Sequence, residues 1–210
     1  MPSTMSSSKH SGEVVNGNLG YDGRVRIKPT SINYIKPLIL AEELKIAHIL
    51  SIINTKDEWY YSIHPERYVP ALREREPETN QDIVVFESTA CLQYLAERFG
   101  EVSWTGRTAW EMAAVMSWTV YETAGLGTGF TFCKAFPNRQ KPEPPMKAVE
   151  KLHSNVLKQW DIMNKRLSEP NQLYVALPDR ATVADLSYFP FAMPWMFMFL
   201  GVDIKDWPYI

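Results

Sequence analysis

The sequence predicts an α/β domain followed by an all-helical domain, and three observations support this expectation. Up to Gly100, apolar runs typical of strands alternate with runs whose apolar residues recur at helical spacing. After Gly100 the helical spacing continues and no further strand pattern occurs. The chain has 210 residues, and at roughly 100 to 200 residues per domain this length allows one large domain or two small ones.

The first half is expected to contain its elements in the order β-α-β and then β-β-α. Pro37 stands where the first turn of a helix tolerates proline, and Gly100 is a residue type that commonly follows a helix C-terminus. The expected strands are Arg24–Lys28, Ile46–Ile53, Tyr68–Leu72 and Asp82–Phe86, and the expected helices are Pro37–Lys45 and Thr89–Phe99.

The second half is expected to be helical. Trp110–Gly125 reads as a long apolar helix interrupted by glycines, and Met146–Leu167 is amphipathic. The proline-rich segment 137–145 between them predicts a loop. Phe191–Val202 is strongly apolar but shorter than the roughly 20 residues that a membrane span needs, so it predicts a buried helix.

A helix N-cap is predicted near the end of the chain. Thr182 and Asp185 have the hydroxyl-x-x-acid spacing of a capping box, ahead of an apolar run. With this helix included, the expected organisation is a disordered lead-in at 1–22, an α/β domain at 23–100, a linker at 101–107 and an all-helical domain at 108–210.

Composition and charge exclude several classes of function. The formal net charge is -2, and no basic stripe of the kind that nucleic-acid binding requires occurs. Cys91 and Cys133 stand far apart with no CxxC or Cys/His cluster, which argues against a disulfide framework and structural zinc. The first twenty residues lack the apolar run of a secretory signal. We therefore expect a cytoplasmic protein that binds no metal, nucleic acid or membrane.

Three short motifs, taken together, resemble the glutathione transferases. They are Val69-Pro70-Ala71-Leu72, Phe86-Glu87-Ser88-Thr89-Ala90 and Ala181-Thr182-Val183-Ala184-Asp185-Leu186. The resemblance covers about residues 24–208 and implies a thioredoxin-like N-terminal domain plus an all-α C-terminal domain. The segment 31–36, followed by 41–44, is similar to the fungal branch that includes the yeast nitrogen regulator and the transferases of secondary-metabolite clusters. A homodimer is also implied.

The resemblance implies a site for glutathione as co-substrate. Glu87 would pair with the α-ammonium group, while the hydroxyl and N–H of Ser88 would hold the α-carboxylate at a helix start, a natural anion site. Val69, before a cis Pro70, would present its N–H and C=O to the cysteinyl backbone as an added strand does.

Ser31 and Asn33 are the candidates for activating the thiol. A free thiol has a pKa near 8.5 and is therefore mostly protonated at neutral pH. Lowering that pKa by about two units requires roughly 2.7 kcal/mol in favour of the thiolate. One charge-assisted hydrogen bond supplies about 1.5 to 3 kcal/mol, and a helix N-terminus adds about 0.3 to 1 kcal/mol. Both residues precede the helix at Pro37, and the choice between them stays open, with a slight preference for Ser31. A serine rather than a cysteine at position 31 argues against thiol-disulfide exchange.

The chain departs from the family pattern at several positions. His64-Pro65-Glu66-Arg67-Tyr68 replaces the usual Asn-Pro-x-Gly-Lys/Arg, so the contact to the glycyl carboxylate is expected to be lost or moved to Arg67. Ile27-Lys28 replaces the usual Leu-Tyr of the first strand, and the sequence ends short of the final helix of many relatives. The aromatic residues Tyr121, Phe130 and Phe132 are the candidates for lining a hydrophobic co-substrate pocket.

Three functions are compatible with these residues. The first is a glutathione transferase-like enzyme that conjugates or isomerises a hydrophobic electrophile, expected to be a fungal secondary-metabolite intermediate. The second is a glutathione-independent isomerase or cyclase of the same fold, motivated by the altered residues 64–68. The third is a non-catalytic binding or regulatory protein, since fold alone does not decide function.

Overall fold

The computed structural model describes residues 31–129 and 146–210, together with the backbone of two strands at 13–16 and 25–27. Phe130, Phe132, Cys133 and the expected loop at 137–145 lie outside the described residues, as does most of the expected lead-in. The chain divides into two compact units, Met1–Gly100 and Glu101–Ile210.

The first unit contains a mixed sheet of five strands in the order β1-β3-β2-β4-β5. Strand β3 runs parallel to both β1 and β2, whereas β4 runs antiparallel to β2 and to β5. The strands are β1 (Glu13–Asn16), β2 (Val25–Ile27), β3 (His48–Ile52), β4 (Ala71–Arg75) and β5 (Asp82–Phe86). The structure has a strand at each of the four places predicted from the sequence, but β4 covers Ala71–Arg75 where Tyr68–Leu72 was predicted, a shift of three residues.

Strand β1 was not predicted. It lies in the segment 1–22 for which disorder is the expectation from sequence, and for Glu13–Asn16 that expectation is wrong. The two adjacent valines favour extended backbone, and pairing with β3 gives the backbone N–H and C=O groups of this segment hydrogen-bonding partners. Only four residues form the strand, and they lie in a Ser- and Gly-rich stretch, so the local sequence signal is weak. The pairing with β3 that stabilises the strand is remote in the chain and cannot be read from the local sequence.

Two helices, α1 (Ile35–Glu43) and α2 (Ser88–Phe99), pack against each other in the first unit. Both were predicted within one or two residues at their ends. The expected polar loop before β4 contains a 3-10 helix, Glu58–Ser62, and a second 3-10 helix covers Ile32–Tyr34. The most deeply buried apolar side chains come from α1, α2 and the sheet: Leu40, Ala41, Ile49, Leu72, Cys91, Leu92 and Leu95.

Cys91 is a core residue, as the apolar face of its helix predicts. Its side chain is fully buried, and burial raises the pKa of the thiol to about 12. A thiol that stays protonated at neutral pH is a poor nucleophile. Cys91 therefore contributes packing rather than reactivity.

The helices of the second unit are α3 (Ala109–Tyr121), α4 (Met146–Leu167), α5 (Val183–Tyr188) and α6 (Pro194–Leu200). The predicted capping box is confirmed at the start of α5. The Thr182 hydroxyl accepts the Ala184 N–H at 3.3 Å, and Asp185 Oδ2 accepts the Thr182 N–H at 2.7 Å. Asp185 Oδ1 also accepts the Val175 N–H at 2.7 Å, which ties the preceding loop to the helix.

Two expectations for the second unit are corrected by the structure. Glu122–Gly127 continues α3 as a π-helical turn, so the glycines change the helix type where an interrupted α-helix was predicted. The buried helix predicted over Phe191–Val202 is present but shorter, because only Pro194–Leu200 is α-helical, with Met196, Phe197 and Leu200 buried. A 3-10 turn, Phe189–Phe191, precedes it, since the prolines at 190 and 194 cannot donate within a continuous helix.

Within the described residues, no single helix is long and apolar enough to cross a membrane. One pair of helical segments, Val183–Phe191 and Pro194–Leu200, bent relative to each other, is together long and apolar enough by length and composition alone.

Candidate functional site

The sheet topology gathers the predicted residues of the first unit at one end of the sheet. Ile27 pairs with Leu72, and Ala71 pairs with Phe86. The carboxyl ends of β2 and β5 therefore lie beside the amino end of β4. Segments that leave β2 and β5 or enter β4 meet at this end. These segments carry all the predicted glutathione-site residues of the first unit: Ser31, Asn33, Arg67, Val69, Pro70, Glu87 and Ser88.

Val69 and Pro70 form the entry to β4. The peptide bond between them is cis, as the resemblance implies. The Tyr60 hydroxyl donates to the carbonyl of Tyr68 at 2.9 Å and fixes the backbone before Val69, while the Val69 side chain packs on a buried cluster that includes Tyr60 and Ile63. Among the described residues, the backbone N–H and C=O of Val69 have no hydrogen-bond partner. They are thus available to an extended ligand.

Glu87 and Ser88 join the end of β5 to α2. Glu87 has φ 73° and ψ 128°, a sparsely populated region that costs a non-glycine residue on the order of 1 to 3 kcal/mol and recurs at functional sites. Its carboxylate is 62% exposed. Ser88 is the first residue of α2 and is buried, and its hydroxyl makes no hydrogen bond within the described ranges. The first N–H groups of α2 lack intrahelical partners, so this helix start favours a negatively charged group.

Ser31 and Asn33 have different surroundings. The Ser31 hydroxyl accepts the Asn33 N–H at 3.3 Å and caps the 3-10 helix Ile32–Tyr34. The Asn33 side-chain oxygen Oδ1 is buried and has no hydrogen-bond partner in the described part of the chain. A buried polar atom without a partner is costly in the free protein. The carboxamide of Asn33 is therefore the group with an unmet requirement for a ligand.

Arg67 is engaged within its own loop. Its Nη1 donates to the Lys56 carbonyl at 3.1 Å, and its guanidinium lies 4.4 Å from the centre of the Tyr61 ring. Its backbone has φ 60°, in the left-handed region. Tyr68, which stands where relatives carry a basic residue, is 60% exposed. The contacts of the Arg67 side chain with the Lys56 carbonyl and with the Tyr61 ring would both have to rearrange before Arg67 could reach a glycyl carboxylate.

His64 lies beside Glu87, a neighbour that the sequence did not predict. Its side chain is 3% exposed, and its Nε2 lies 3.8 Å from Oε1 of Glu87. The signal in the sequence was the replacement of Asn-Pro by His-Pro, which was read only as a departure from the family pattern. Its proximity to Glu87 depends on the pairing of β4 with β5 and is not visible in the sequence.

Tyr121 borders a cavity in the second unit, between the π-helical turn and α4. The volume of the cavity is about 250 Å³. Its lining is more polar than the lining of the hydrophobic pocket expected from the sequence. A Cβ on Gly125 would lie 2.2 Å from the Gln159 side chain, so the absence of a side chain at 125 leaves room for the Gln159 amide in its present position. The lining residues are Tyr121, Ala124, Gly125, Thr128, Gly129, Leu152, Asn155, Lys158 and Gln159.

Within the ranges that the structure describes, no group of three His, Cys, Asp or Glu side chains is arranged to hold a metal ion.

Comparison with known proteins shows which class of protein has this fold. The family model for the N-terminal domain of glutathione S-transferases matches residues 30–98. The structure of Ure2p in complex with glutathione has a TM-score of 0.77 with this chain at 18% identity, covering 89% of this chain and 86% of that one. At this identity the likeness shows the fold alone, that of the glutathione transferases.

Two sequence relatives take the identification further. Glutathione S-transferase aclG of Aspergillus oryzae is 56% identical over 201 residues, covering 90% of this chain and 88% of its own length. The trimodular acetylaranotin synthesis protein ataIMG of Aspergillus terreus is 59% identical over 179 residues, which are 85% of this chain and 18% of that longer protein. The chain belongs to the glutathione S-transferase family of enzymes.

Proposed function

We propose that this protein binds glutathione at the end of the sheet where β4 begins and α2 starts, and joins the glutathionyl group, through its sulfur, to an electrophilic small molecule. The observation that supports this most is the combination of three features at that end: the exposed carboxylate of Glu87, and the backbone of Val69 and hydroxyl of Ser88, neither of which has a hydrogen-bond partner within the described ranges. Together they match the requirements of an extended peptide that ends in an α-ammonium and an α-carboxylate.

The cysteinyl backbone and both charged ends of the γ-glutamyl group of glutathione have partners of suitable chemistry in this proposal. The backbone of Val69 pairs with the cysteinyl N–H and C=O as an added strand would. The Glu87 carboxylate accepts from the γ-glutamyl ammonium, and Ser88 donates its hydroxyl and N–H to the γ-glutamyl carboxylate. The helix dipole of α2 adds to the attraction of that carboxylate.

Asn33 is favoured over Ser31 as the group that activates the thiol. The Ser31 hydroxyl already serves as a cap, whereas the Asn33 carboxamide has a buried atom without a partner among the described residues. Rotation of the amide by half a turn exchanges Oδ1 for the N–H donor Nδ2 at the same place. An N–H donated to sulfur stabilises the thiolate relative to the thiol and so lowers the pKa of the thiol.

The proposed reaction joins the intact glutathionyl group to the electrophile through its sulfur. The cysteinyl thiol loses its proton to solvent, and the thiolate donates an electron pair to an electrophilic carbon, forming a carbon–sulfur bond. The carbon releases either a leaving group, with its bonding electrons, or the electrons of a double bond that is then protonated. In a glutathione-assisted isomerisation the carbon–sulfur bond subsequently breaks and the thiol is regenerated. No oxidant or reductant takes part.

The class of electrophile follows from the relatives. The name of ataIMG assigns that protein to acetylaranotin synthesis, and we extend this to an intermediate of fungal secondary metabolism as co-substrate here. Tyr121, with Phe130 and Phe132, remains the proposed contact for a hydrophobic co-substrate. The polar lining of the cavity beside Tyr121 suits a substrate that also carries amide or hydroxyl groups. A cytoplasmic location completes the proposal.

A homodimer is also proposed, and helix α3 supports it. Trp110, Met112, Met116 and Val120 are 49% to 68% exposed. Met112, Met116 and Val120 recur along α3 at intervals of four residues and none of the four side chains carries a charge, so two copies could pack across a two-fold axis without opposing like charges. An unpartnered apolar stripe of this length is typical of an interface rather than of a free surface.

Calorimetric titration with glutathione tests the central proposal. The wild-type protein should bind glutathione, and Glu87→Ala should weaken binding at least tenfold, because the ammonium loses its charged partner (about 1.4 kcal/mol or more). Glu78→Ala, which removes an exposed carboxylate in a loop of the same unit, is the matched control and should bind normally. Absence of binding at millimolar glutathione, or binding that Glu87→Ala leaves unchanged, would contradict the proposal.

Turnover separates conjugation from the other two functions. Product formation by purified protein without any thiol would favour a glutathione-independent isomerase or cyclase. Glutathione binding without turnover of any electrophile, together with a stable protein partner, would favour a regulatory role.

A further inference from the structure

His64 has a fixed place beside the start of α2. Its ring centre lies 4.9 Å from that of Phe86 and 5.5 Å from that of Tyr68. Its backbone N–H donates to the Tyr60 carbonyl, and its carbonyl accepts the Arg67 N–H, both at 3.0 Å. A buried imidazole held by two aromatic rings and by its own backbone has little freedom to turn.

One nitrogen of this ring is already in use. The Glu66 N–H donates to Nδ1 at 3.0 Å. Because a backbone N–H can only donate, Nδ1 is the acceptor, and the neutral ring carries its proton on Nε2. In an Asx turn, the side chain of asparagine likewise accepts a hydrogen bond from the N–H two residues later. His64 thus closes the turn with Nδ1 and keeps its Nε2–H for another group.

The carboxylate of Glu87 lies next to that N–H. The distance between Nε2 and Oε1 is 3.8 Å, which is longer than a hydrogen bond, so a small rotation of the Glu87 side chain is needed to form one. Within the described residues this carboxylate has no hydrogen-bond partner in the free protein. A side chain that is 62% exposed would otherwise sample several rotamers. Ordering it only when a ligand arrives would weaken binding, because the lost freedom opposes association.

We propose that His64 is a positioning residue that holds the Glu87 carboxylate, through its Nε2–H, in the place where it meets the γ-glutamyl ammonium group. This inference rests on the proposed function, since it assumes that glutathione is bound through Glu87. A neutral donor suits the role better than lysine or arginine would. A cation at this place would neutralise the negative charge that the ligand's ammonium group requires.

Two substitutions separate the roles of the two ring nitrogens. In His64→Asn, the amide oxygen can still accept the Glu66 N–H and close the turn, but the side chain is too short to reach Glu87. In His64→Gln, the amide nitrogen lies about as far along the side chain as Nε2 and restores a donor toward Glu87. His64→Asn therefore isolates the loss of the second contact.

Steady-state kinetics with glutathione and a chromogenic electrophile provide the test. We expect His64→Asn to raise the KM for glutathione about three- to tenfold and to leave kcat within about twofold, because the thiol itself is not touched. Its thermal unfolding midpoint should stay close to that of the wild type. His64→Gln should recover most of the loss in KM.

A ligand without the α-amino group supplies a control for the mechanism. Glutaryl-cysteinylglycine is glutathione lacking that group, so it offers no ammonium to Glu87. The wild type and His64→Asn should bind it equally well in calorimetry. In the same way, His64→Asn should have no further effect on glutathione binding once Glu87 is replaced by glutamine.

The outcomes distinguish this inference from the proposed function. If the wild type does not bind glutathione, both fail. If the wild type binds, Glu87→Gln weakens binding and His64→Asn binds like the wild type, the inference is wrong and the proposed function stands. Equal losses in His64→Asn and His64→Gln, accompanied by lower stability, would assign His64 to packing alone and would also overturn the inference.

Discussion

Arg180 and Glu111 form a partly buried ion pair in the second unit, with Nη2 of the arginine 2.6 Å from Oε2 of the glutamate. The same carboxylate oxygen accepts the Arg107 N–H at 2.6 Å, and Nε of Arg180 donates to the Ser103 carbonyl at 3.1 Å. The pair therefore ties the loop before α3 to the loop before α5.

Acid should weaken this connection. The hydrogen bond from Arg180, followed by that from the Arg107 N–H, lowers the pKa of Glu111. A carboxylate whose pKa is lower in the folded state contributes stability above its unfolded pKa of about 4.3 and loses it as the pH falls through the folded pKa. We expect Glu111→Gln to be less stable than the wild type at pH 7 and the two to converge in acid, as measured by urea unfolding over a pH series. Glu101→Gln, an exposed acid in the same unit, should differ little from the wild type at any pH; a constant difference for Glu111→Gln would contradict the expectation.

The choice between Asn33 and Ser31 can be made by titrating bound glutathione. If Asn33 donates to the thiolate, Asn33→Ala should raise the pKa of the bound thiol by about one to two units, since one charge-assisted hydrogen bond is worth roughly that much. Ser31→Ala should change the pKa less, because that hydroxyl caps the neighbouring 3-10 helix. The ultraviolet absorbance of the thiolate measures this directly at saturating glutathione. A larger shift in Ser31→Ala would reverse the assignment.

The capping box of α5 should matter for stability. Thr182→Ala removes the acceptor of the Ala184 N–H and should lower the free energy of unfolding by about 1 kcal/mol. Asp185→Ala leaves the N–H groups of Val175 and Thr182 without their partner and should cost about 2 to 4 kcal/mol. Asp179→Ala, which removes an exposed acid and its ion pair with Arg180 but no helix cap, is the control for loss of charge. Chemical denaturation measures all three, and equal effects of Asp179→Ala and Asp185→Ala would show that the cap contributes nothing.

The stripe on α3 predicts an effect on assembly. Met116→Glu places a charge in the middle of the stripe and should convert the proposed dimer to a monomer in sedimentation equilibrium. Met198→Glu is the matched control, because Met198 is 77% exposed and lies on α6. It should leave the dimer intact. A monomeric wild type at micromolar concentration would rule out this role for the stripe.

Much of the fold could be predicted from local patterns. Asp82–Phe86 and Met146–Leu167 have the bounds expected from their periodicity, and the cap at Thr182 follows from two residues at fixed spacing. Features that depend on distant partners were missed. Glu13–Asn16 becomes a strand only because β3 lies beside it, and the apolar run 191–202 breaks where proline prevents helix continuation.

The sequence by itself determined the order of the elements, the resemblance to glutathione transferases and the residue types expected at the site. The tertiary structure decided which of those residues have unsatisfied groups. Pairing of β4 with β5 brings His64 next to Glu87, and the turn at Ser31 uses that hydroxyl while a buried atom of Asn33 has no partner among the described residues. The physical reason is that hydrogen-bond satisfaction and burial depend on neighbours that are remote in the chain, whereas helix and strand periodicity depend on residues close in sequence.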